Sequence, residues 1–206
     1  MLINLTLISI IDYGVGNLKS IKKAIENFGV NVVITREVSI VESSDALILP
    51  GVGAFHEAIQ NLEPLRNVIE DFIKSEKPIF GICLGLQLLF SESWEGGYFK
   101  GLNLLKGSIV KLPKGLKIPH MGWNSINIVK YNPLIDGVKN GSFVYFAHSY
   151  IASKFDPEIV IAYTNYGIDF PSIISSKHLY GTQFHPEKSG KVGLQILKNF
   201  VEIVRK

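Results

Sequence analysis

The sequence predicts an α/β protein with a mostly parallel, doubly wound sheet and antiparallel strands added in its second half. Three observations support this fold class. Apolar strand-like runs alternate with segments of helical spacing through the first half of the 206-residue chain. Glycine-bearing turns follow three of these runs, and shorter strand-like segments fill the second half. Apolar strands in repeated βα units form parallel sheets that helices cover on both faces.

The first half is interpreted as strand–turn–helix units. Leu5–Ile11 predicts the first strand, and a turn over residues 12–16 with two glycines follows it. Asn17 is a residue type that caps helices, and Gly29 is one that ends them. The later elements are strands at Asn31–Thr35 and Ala46–Leu49, and two helices with apolar faces at Leu18, Ile21, Ile25 and Phe28 and at Leu65, Val68, Ile69, Phe72 and Ile73.

The second half predicts short strands and one terminal helix. The candidate strands are Ser125–Val129, Phe143–Ala147, Ile159–Thr164, Ser172–Ile174 and Leu179–Phe184. Ser189 is a suitable cap for a last helix whose apolar residues recur at helical spacing up to Val204. We expect the added strands to join the same sheet. No linker divides the chain, which predicts a single domain over residues 1–206.

The composition excludes several classes of protein. The net charge is +3 with acids and bases interspersed, and no dense Lys/Arg stripe indicates nucleic-acid binding. No apolar run reaches the ~18 residues of a membrane span. The segment Met1–Leu7 lacks a basic region and a cleavage site, so it is interpreted as the start of a strand. A single cysteine excludes an internal disulfide and fits the reducing cytosol.

The strongest chemical signal surrounds Cys83. Glycines stand two residues before and two residues after it, an apolar run precedes it, and a leucine-rich segment follows. This pattern is typical of a nucleophile elbow, in which a strand turns sharply into a helix. A sulfur at a helix N-terminus is favoured as a thiolate. The alternative is a buried cysteine that packs as a small hydrophobic residue.

A base for this nucleophile is predicted at His185. Among five histidines, only this one has a carboxylate, Glu187, placed to orient it. Residues two apart on an extended segment point to the same side, so Glu187 can reach the imidazole. The predicted unit is a nucleophile, a base and an orienting acid. The alternative for an isolated His-x-Glu pair is a surface contact.

Acyl transfer also requires hydrogen-bond donors for an oxyanion. The amide N–H of Leu84, directly after the nucleophile, is one candidate. The turn at residues 50–53, Pro-Gly-Val-Gly, is a second source of a backbone N–H, although an ordinary βα turn has the same composition. The turn at residues 14–17 lacks the third glycine of a dinucleotide loop and the Lys-Ser/Thr of a P-loop, so we interpret it as a tight turn.

Three motifs resemble those of class I, triad-type glutamine amidotransferases: Pro-Gly-Val-Gly at 50–53, Gly-x-Cys-Leu-Gly-x-Gln at 81–87 and Gln-Phe-His-Pro-Glu-Lys-Ser at 183–189. The resemblance implies a flavodoxin-like fold. It implies that Cys83 attacks the side-chain amide of glutamine and that His185, oriented by Glu187, moves the protons. It assigns the oxyanion hole to Val52, Gly53 and Leu84, and glutamine binding to Gly51, Gln87, Ser149 and Tyr150.

Three further segments narrow the resemblance. Residues 12–18, 119–124 and 145–150 are similar to those of glutaminase subunits of imidazole glycerol phosphate synthase. That similarity implies a heterodimer with a (β/α)₈-barrel synthase subunit, which receives the ammonia, and it implies no cofactor or metal. The residues that would meet the barrel are Met121, Trp123, Asn124, Tyr145 and Lys188. Ala147 and Leu86 depart from the usual pattern, where a larger apolar residue and methionine are common.

Other functions remain open from the sequence. The chain could serve a different synthase, such as anthranilate or aminodeoxychorismate synthase. It could also be a non-catalytic docking module on the same fold, although the intact Cys, His and Glu argue against this. A cysteine peptidase is a weaker alternative because nothing in the sequence indicates a groove for an extended peptide.

Overall fold

The structure, a computed structural model, describes residues 6–14 and 16–206, so Leu5 of the predicted first strand and Val15 of the following turn lie outside it. Its helices are α1 (Leu18–Glu26), α2 (Val38–Ser43), α3 (Phe55–Leu62), α4 (Arg66–Lys74), α5 (Leu84–Leu88) and α6 (Gly190–Val204). Its strands are β1 (Leu7–Ile11), β2 (Asn31–Thr35), β3 (Ala46–Leu49), β4 (Ile79–Ile82), β5 (Phe90–Ser93), β6 (Phe99–Lys100), β7 (Leu105–Lys111), β8 (His120–Ser125), β9 (Asn127–Ile128), β10 (Phe143–His148), β11 (Tyr150–Ser153), β12 (Val160–Asn165), β13 (Asp169–Ser176) and β14 (Leu179–Thr182).

The largest sheet has eight strands in the order β2-β1-β3-β4-β14-β13-β12-β9. The first five strands in this order are parallel to one another, and the last three continue the sheet in antiparallel pairs. This arrangement confirms the predicted fold class. Apolar residues on both faces of the central strands explain why the parallel part is buried on both sides.

Helices cover both faces of this sheet. Ile8 and Ile10 of β1 belong to a core shared with α1 and α6. Leu47 and Leu49 of β3 belong to a second core shared with α2, α3 and α4. The alternation of side chains along each strand therefore sends successive residues into two different cores.

Two smaller sheets stand apart from the large one, which corrects the expectation that all added strands join it. Strands β8 and β10 form an antiparallel ribbon that packs against α6 and the turn at Pro186–Lys188. Strands β11, β7, β5 and β6 form a four-stranded sheet that was not predicted. Its strands are short and partly polar, and β7 is interrupted by Gly107 at φ 140°. Such segments give little period-two signal.

The helix caps also differ from expectation. Asn17 precedes α1 with φ 68°, and its side chain makes no capping hydrogen bond. Ser189 precedes α6, but its hydroxyl donates to the carbonyl of His185 and accepts from the N–H of Tyr145. Gly29 does end the first helical segment, at φ 70°. Helices α2 and α3 were not predicted. Both side chains expected to cap helices therefore bond elsewhere.

Candidate active site

Cys83 lies where β4 ends and α5 begins. Its backbone has φ 52° and ψ −105°, a region that non-glycine residues rarely adopt. The N–H of Cys83 donates to the carbonyl of Thr182 at 2.7 Å, which attaches the elbow to β14. The Cys83 residue is 5% exposed. The sharp turn predicted from the glycine spacing is therefore present, and it holds the sulfur at the carboxyl edge of the sheet.

The two glycines beside the elbow are required by close packing. A Cβ atom on Gly85 would lie 1.8 Å from the carbonyl oxygen of Leu49. A Cβ atom on Gly81 would lie 2.6 Å from the backbone nitrogen of Leu86. Both distances are far below a van der Waals contact, so only glycine fits at these positions. The neighbouring strand and helix thereby fix the position of the nucleophile.

His185 and Glu187 form a buried pair beyond the end of β14. The imidazole Nδ1 lies 3.1 Å from Glu187 Oε1, and both side chains are almost completely buried. The geometry that joins them differs from the prediction: β14 stops at Thr182, and Glu187 belongs to a 3₁₀ turn rather than to an extended segment. Pro186 begins that turn and supplies its fixed φ.

Burial and charge act in opposite directions on His185. Burial lowers its pKa and is the largest single influence, but Cys83 and Glu187 together raise the pKa to about 9. Within the described residues, His185 Nε2 and Glu187 Oε2 are buried and make no hydrogen bond. An imidazolium with a free Nε2–H beside a thiol is suited to proton transfer.

Asn17 joins the His185–Glu187 pair, although the sequence around it predicts a helix cap. Its Nδ2 donates to Glu187 Oε1 at 3.0 Å, across 170 positions of the chain. Asparagine tolerates the left-handed backbone at this turn. The sequence carried no signal for this contact, because it depends on β1 and β14 ending at the same edge of the sheet.

A cavity of about 230 Å³ opens onto Cys83. It brings together eight residues predicted for the site or the partner face: Val52, Gly53, Cys83, Leu84, Gln87, Met121, Ser149 and Tyr150. Its wall also includes Glu95, Pro119, Ala147 and His148. Gly51 stands behind this wall, where an added Cβ would meet Leu84 Cβ at 2.6 Å. A larger cavity of about 870 Å³ lies between the α3–α4 segment and the four-stranded sheet, and its wall contains neither a cysteine nor a histidine.

Glu95 is a cavity residue that sequence reasoning missed. Burial raises the pKa of its carboxyl, against the effect of the Phe55 N–H, which donates to Oε2 at 3.3 Å. Gln87, predicted from the elbow motif, is 4% exposed and donates through Nε2 to the carbonyl of Tyr150 at 3.0 Å. The cavity therefore presents a carboxylate and backbone groups to a small polar ligand.

A pair of buried histidines, His120 and His148, adjoins the cavity. His120 Nδ1 lies 3.0 Å from His148 Nε2, and His148 Nδ1 lies 3.0 Å from the carbonyl of Tyr150. Burial lowers the pKa of His120 to about 4 and that of His148 to about 3. Asn124 Nδ2 faces His120 Nε2 at 3.4 Å and also donates to the carbonyl of Asn165. Both rings are neutral at pH 7.

The outer face of the β8–β10 ribbon is apolar and exposed. Met121, Trp123 and Phe143 expose 65%, 56% and 59% of their surface. The ring of Trp123 meets that of Tyr145 edge to face at 6.1 Å, and Lys188 Nζ lies 5.9 Å from the centre of the Tyr145 ring. Phe143 joins the predicted set, whereas Asn124 alternates with Trp123 along β8 and bonds on the other side of the ribbon, to His120 and Asn165. A contiguous apolar surface of this kind is typical of a protein interface.

The described ranges contain no group of three His, Cys, Asp or Glu side chains placed to hold a metal ion. None of the helices in the same ranges combines the length and the hydropathy that crossing a membrane requires.

Both the sequence and the fold of the chain resemble those of known proteins. The family described as glutamine amidotransferase class-I matches residues 9–204. The chain is 50% identical to imidazole glycerol phosphate synthase subunit HisH of Archaeoglobus fulgidus, over 97% of this chain and 100% of the relative. It is 48% identical to the HisH subunit of Methanocaldococcus jannaschii, over 96% and 100%. A crystal structure of a glutamine amidotransferase superposes with a TM-score of 0.76 at 16% identity, over 97% and 99%. The structure of PurLQS from Thermotoga maritima superposes at 0.73 and 17% identity, over 97% and 99%.

Proposed function

The chain belongs to the class-I glutamine amidotransferase family, and from this premise we propose that it is the glutaminase subunit of imidazole glycerol phosphate synthase. In this function it hydrolyses glutamine to glutamate and ammonia and passes the ammonia to a synthase subunit. Identity of about 50% to HisH subunits over nearly the whole chain supports the choice of synthase. The observation that carries the chemistry is the position of Cys83, which lines the cavity and has the buried His185–Glu187 pair beside its sulfur.

The first half of the reaction forms a thioester. The Cys83 thiolate attacks the side-chain carbonyl carbon of glutamine, and a carbon–sulfur bond forms. His185 Nε2–H gives its proton to the amide nitrogen as the carbon–nitrogen bond breaks, and ammonia leaves. A raised pKa of about 9 keeps His185 protonated before this step. Glu187 and Asn17 hold the imidazole for the transfer.

The second half releases glutamate. The neutral imidazole of His185 takes a proton from water, and the resulting hydroxide attacks the thioester carbonyl. The carbon–sulfur bond then breaks and returns the Cys83 thiolate and the protonated His185. Base catalysis of this kind contributes roughly 10²–10⁴ in rate.

Both steps place negative charge on the former carbonyl oxygen. We assign its stabilisation to the backbone N–H of Leu84 and to that of Val52 or Gly53, residues that line the same cavity as Cys83. The glycines beside Val52 allow its peptide to reorient when glutamine and partner are bound. Loss of one such donor costs about 3–4 kcal/mol of the barrier.

The rest of the cavity fits the amino-acid end of glutamine. Glu95 supplies a negative charge for the α-ammonium group, which the family motifs did not predict. Gln87 and the backbone at Ser149 and Tyr150 supply hydrogen bonds, as the resemblance implies. Gly51 lets Leu84 pack closely behind this wall, because a Cβ at position 51 would collide with Leu84.

The partner is a (β/α)₈-barrel synthase subunit that docks on the apolar ribbon face. Met121 belongs both to that face and to the cavity wall, so it stands where ammonia leaves for the partner. Trp123, Tyr145 and Lys188 border the same surface, and Asn124 supports the ribbon from its other side. In the barrel, ammonia reacts with a phosphorylated ribulosyl substrate to give imidazole glycerol phosphate and a carboxamide ribonucleotide.

Two further properties follow from this proposal. Residues 1–206 act as one domain, a view supported by two hydrophobic cores that each combine residues from both halves of the chain. The protein works in the cytoplasm, where the catalytic thiol of its sole cysteine stays reduced.

The proposal is tested in the complex assembled with the barrel subunit from the same source. We expect Cys83→Ala to abolish glutaminase activity while the complex still forms. His178→Asn, which changes a histidine outside the cavity, is the control and should retain activity. Full glutaminase activity in Cys83→Ala would refute the mechanism. Rescue of a tryptophan or folate auxotroph instead of a histidine auxotroph would refute the choice of synthase.

The partner dependence has its own test. Because the Val52 peptide must reorient, the isolated subunit should turn over glutamine far more slowly than the complex with the ribulosyl ligand bound. Equal rates with and without the barrel subunit would show that docking does not complete the site.

A further inference from the structure

Gln183 is a buried residue beside the nucleophile with no role in the mechanism described so far. Its side-chain Nε2 lies 3.6 Å from Cys83 Sγ, and the residue is 1% exposed. The sulfur also contacts the carbonyl of Ala147 at 3.8 Å. A thiol can donate to that carbonyl, but a thiolate can only accept. Of these two contacts, the one with Gln183 therefore survives ionisation, alongside the neighbouring imidazole of His185.

The orientation of the Gln183 amide follows from its neighbours. The carbonyl oxygen of Tyr150 can only accept, so the group of Gln87 that faces it at 3.0 Å must be its NH₂. The same NH₂ lies 3.2 Å from Gln183, which must present its oxygen there. The NH₂ of Gln183 is left facing the sulfur. The Tyr150 carbonyl thus sets the direction of both amides.

A second donor secures that carbonyl. His148 Nδ1 lies 3.0 Å from the Tyr150 oxygen and donates to it. With Gln87 and His148 both bound, the two lone pairs of the oxygen are occupied. Rotation of the Gln87 amide would place its oxygen against the Tyr150 oxygen and leave the Gln183 oxygen without a donor. This buried network therefore has one favourable arrangement, and it aims an N–H at Cys83.

We propose that Gln183 is a further catalytic residue, which donates its side-chain N–H to the Cys83 thiolate. The inference rests on the proposed function, since it assumes that Cys83 is the nucleophile. The bond is strongest when the sulfur is charged and weakens in the thioester. It therefore acts twice: it keeps the thiolate populated before attack, and it stabilises the same thiolate as the leaving group when water opens the thioester.

Two replacements of similar length test this inference in the assembled complex. Gln183→Glu retains an acceptor for Gln87 and removes the donor to sulfur, whereas Gln183→Met removes both. Loss of a hydrogen bond to a charged group should lower kcat about tenfold or more in each. KM should change less than about twofold, because Gln183 does not face the glutamine cavity. Labelling of Cys83 by iodoacetamide and the thiolate absorbance at fixed pH should fall in parallel.

Ser172→Ala is the matched control, because it removes a buried hydroxyl hydrogen bond on the neighbouring strand β13 without touching the sulfur. It should keep kcat and labelling within about twofold of the unchanged protein. Gln183 variants that label and turn over at the wild-type rate would overturn the inference. If the unchanged complex shows no glutaminase activity, the proposed function fails instead.

One measurement avoids substitution at Gln183. Alkylation of Cys83 removes the charge from the sulfur, so the side-chain amide protons of Gln183 should shift in the NMR spectrum of the unmutated protein. Unchanged Gln183 amide signals after complete alkylation would also overturn the inference.

Discussion

His185 and the His120–His148 pair are all buried in this fold, but they differ in charge at neutral pH. Burial acts on His185 and on the His120–His148 pair in the same direction, since it lowers the pKa of all three. In His120 and His148, burial lowers the pKa to about 4 and about 3. In His185, other influences outweigh burial, and the pKa is raised to about 9.

The difference comes from the partners of each ring. His185 contacts the carboxylate of Glu187 and lies beside the sulfur of Cys83, both of which favour a charged imidazole. His120 and His148 contact each other, an amide and a carbonyl, so neutral tautomers satisfy all their hydrogen bonds. Burial alone would therefore not distinguish the proposed catalytic histidine from the two structural ones. The charge of the neighbours does.

The largest effect is expected when the Glu187 carboxylate beside His185 is removed. Glu187→Gln keeps the shape of the orienting side chain but makes the surroundings of His185 resemble those of the neutral pair. We expect kcat/KM for glutamine in the complex to fall about 1000-fold or more, as when the orienting acid of other triads is lost. Glu202→Gln, at an exposed carboxylate on α6, is the control. A loss below tenfold would mean that Glu187 does not determine the state of His185.

The neutral pair should matter for stability rather than for chemistry. His120→Phe keeps the stacking on Tyr166, whose ring centre is 4.0 Å away, but leaves His148 Nε2 without a donor. We expect the free energy of unfolding to fall by about 1–3 kcal/mol in urea denaturation. His56→Phe, at a partly exposed histidine stacked on Phe99, is the control. Equal stability of His120→Phe and wild type would show that stacking, and not the hydrogen bond, maintains the pair.

The two groups should also produce opposite limbs in the pH dependence of stability. The depressed pKa values of His120 and His148 give stability that is present above about pH 6.5 and lost as the pH falls through about 4 and 3. The raised pKa of His185 gives stability that is present below about pH 6.5 and lost as the pH rises through about 9.

Unfolding free energies measured from about pH 4 to 9 check this separation. His120→Phe should flatten the acid limb, and Cys83→Ala should flatten the alkaline limb because Cys83 helps to raise the pKa of His185. If either variant flattens the opposite limb, the assignment of charge to the two groups is wrong.

The smallest effect is expected at Asn17. Asn17→Gly retains the backbone at φ 68° and removes only the donor to Glu187. We expect kcat to fall about three- to tenfold, as the loss of one positioning hydrogen bond implies. Asn103→Gly is matched to it, since Asn103 also has a left-handed backbone but lies outside the cavity. Equal kcat in both variants would show that Asn17 does not position the triad.

The sequence predicted the elements whose signals are local. Strands Asn31–Thr35 and Ala46–Leu49 have the predicted bounds, because each is a short apolar run between polar or glycine-containing turns. The strands of the four-stranded sheet were missed because distant pairing, and not their own composition, defines them. The ribbon was placed on the wrong sheet for a similar reason: its inner face packs on α6, a contact that strand periodicity does not encode.

The same distinction applies to the site. Cys83, His185 and Glu187 could be predicted because glycine spacing and a His-x-Glu pattern are local. Asn17 and Glu95 reach the site only through the fold. Gln183 stands inside a recognised motif, yet its direction depends on Gln87 and on a backbone carbonyl at position 150. Side chains whose role depends on such tertiary contacts leave no periodic signal in the sequence.

The β8–β10 ribbon has a mechanical consequence. The carbonyl of Tyr145 accepts the N–H of His185 at 2.9 Å, while the side chain of Tyr145 lies on the outer apolar face. The proposed docking surface and the proposed catalytic base are thus separated by a single residue. A shift of β10 on docking would be transmitted to His185 through this one hydrogen bond.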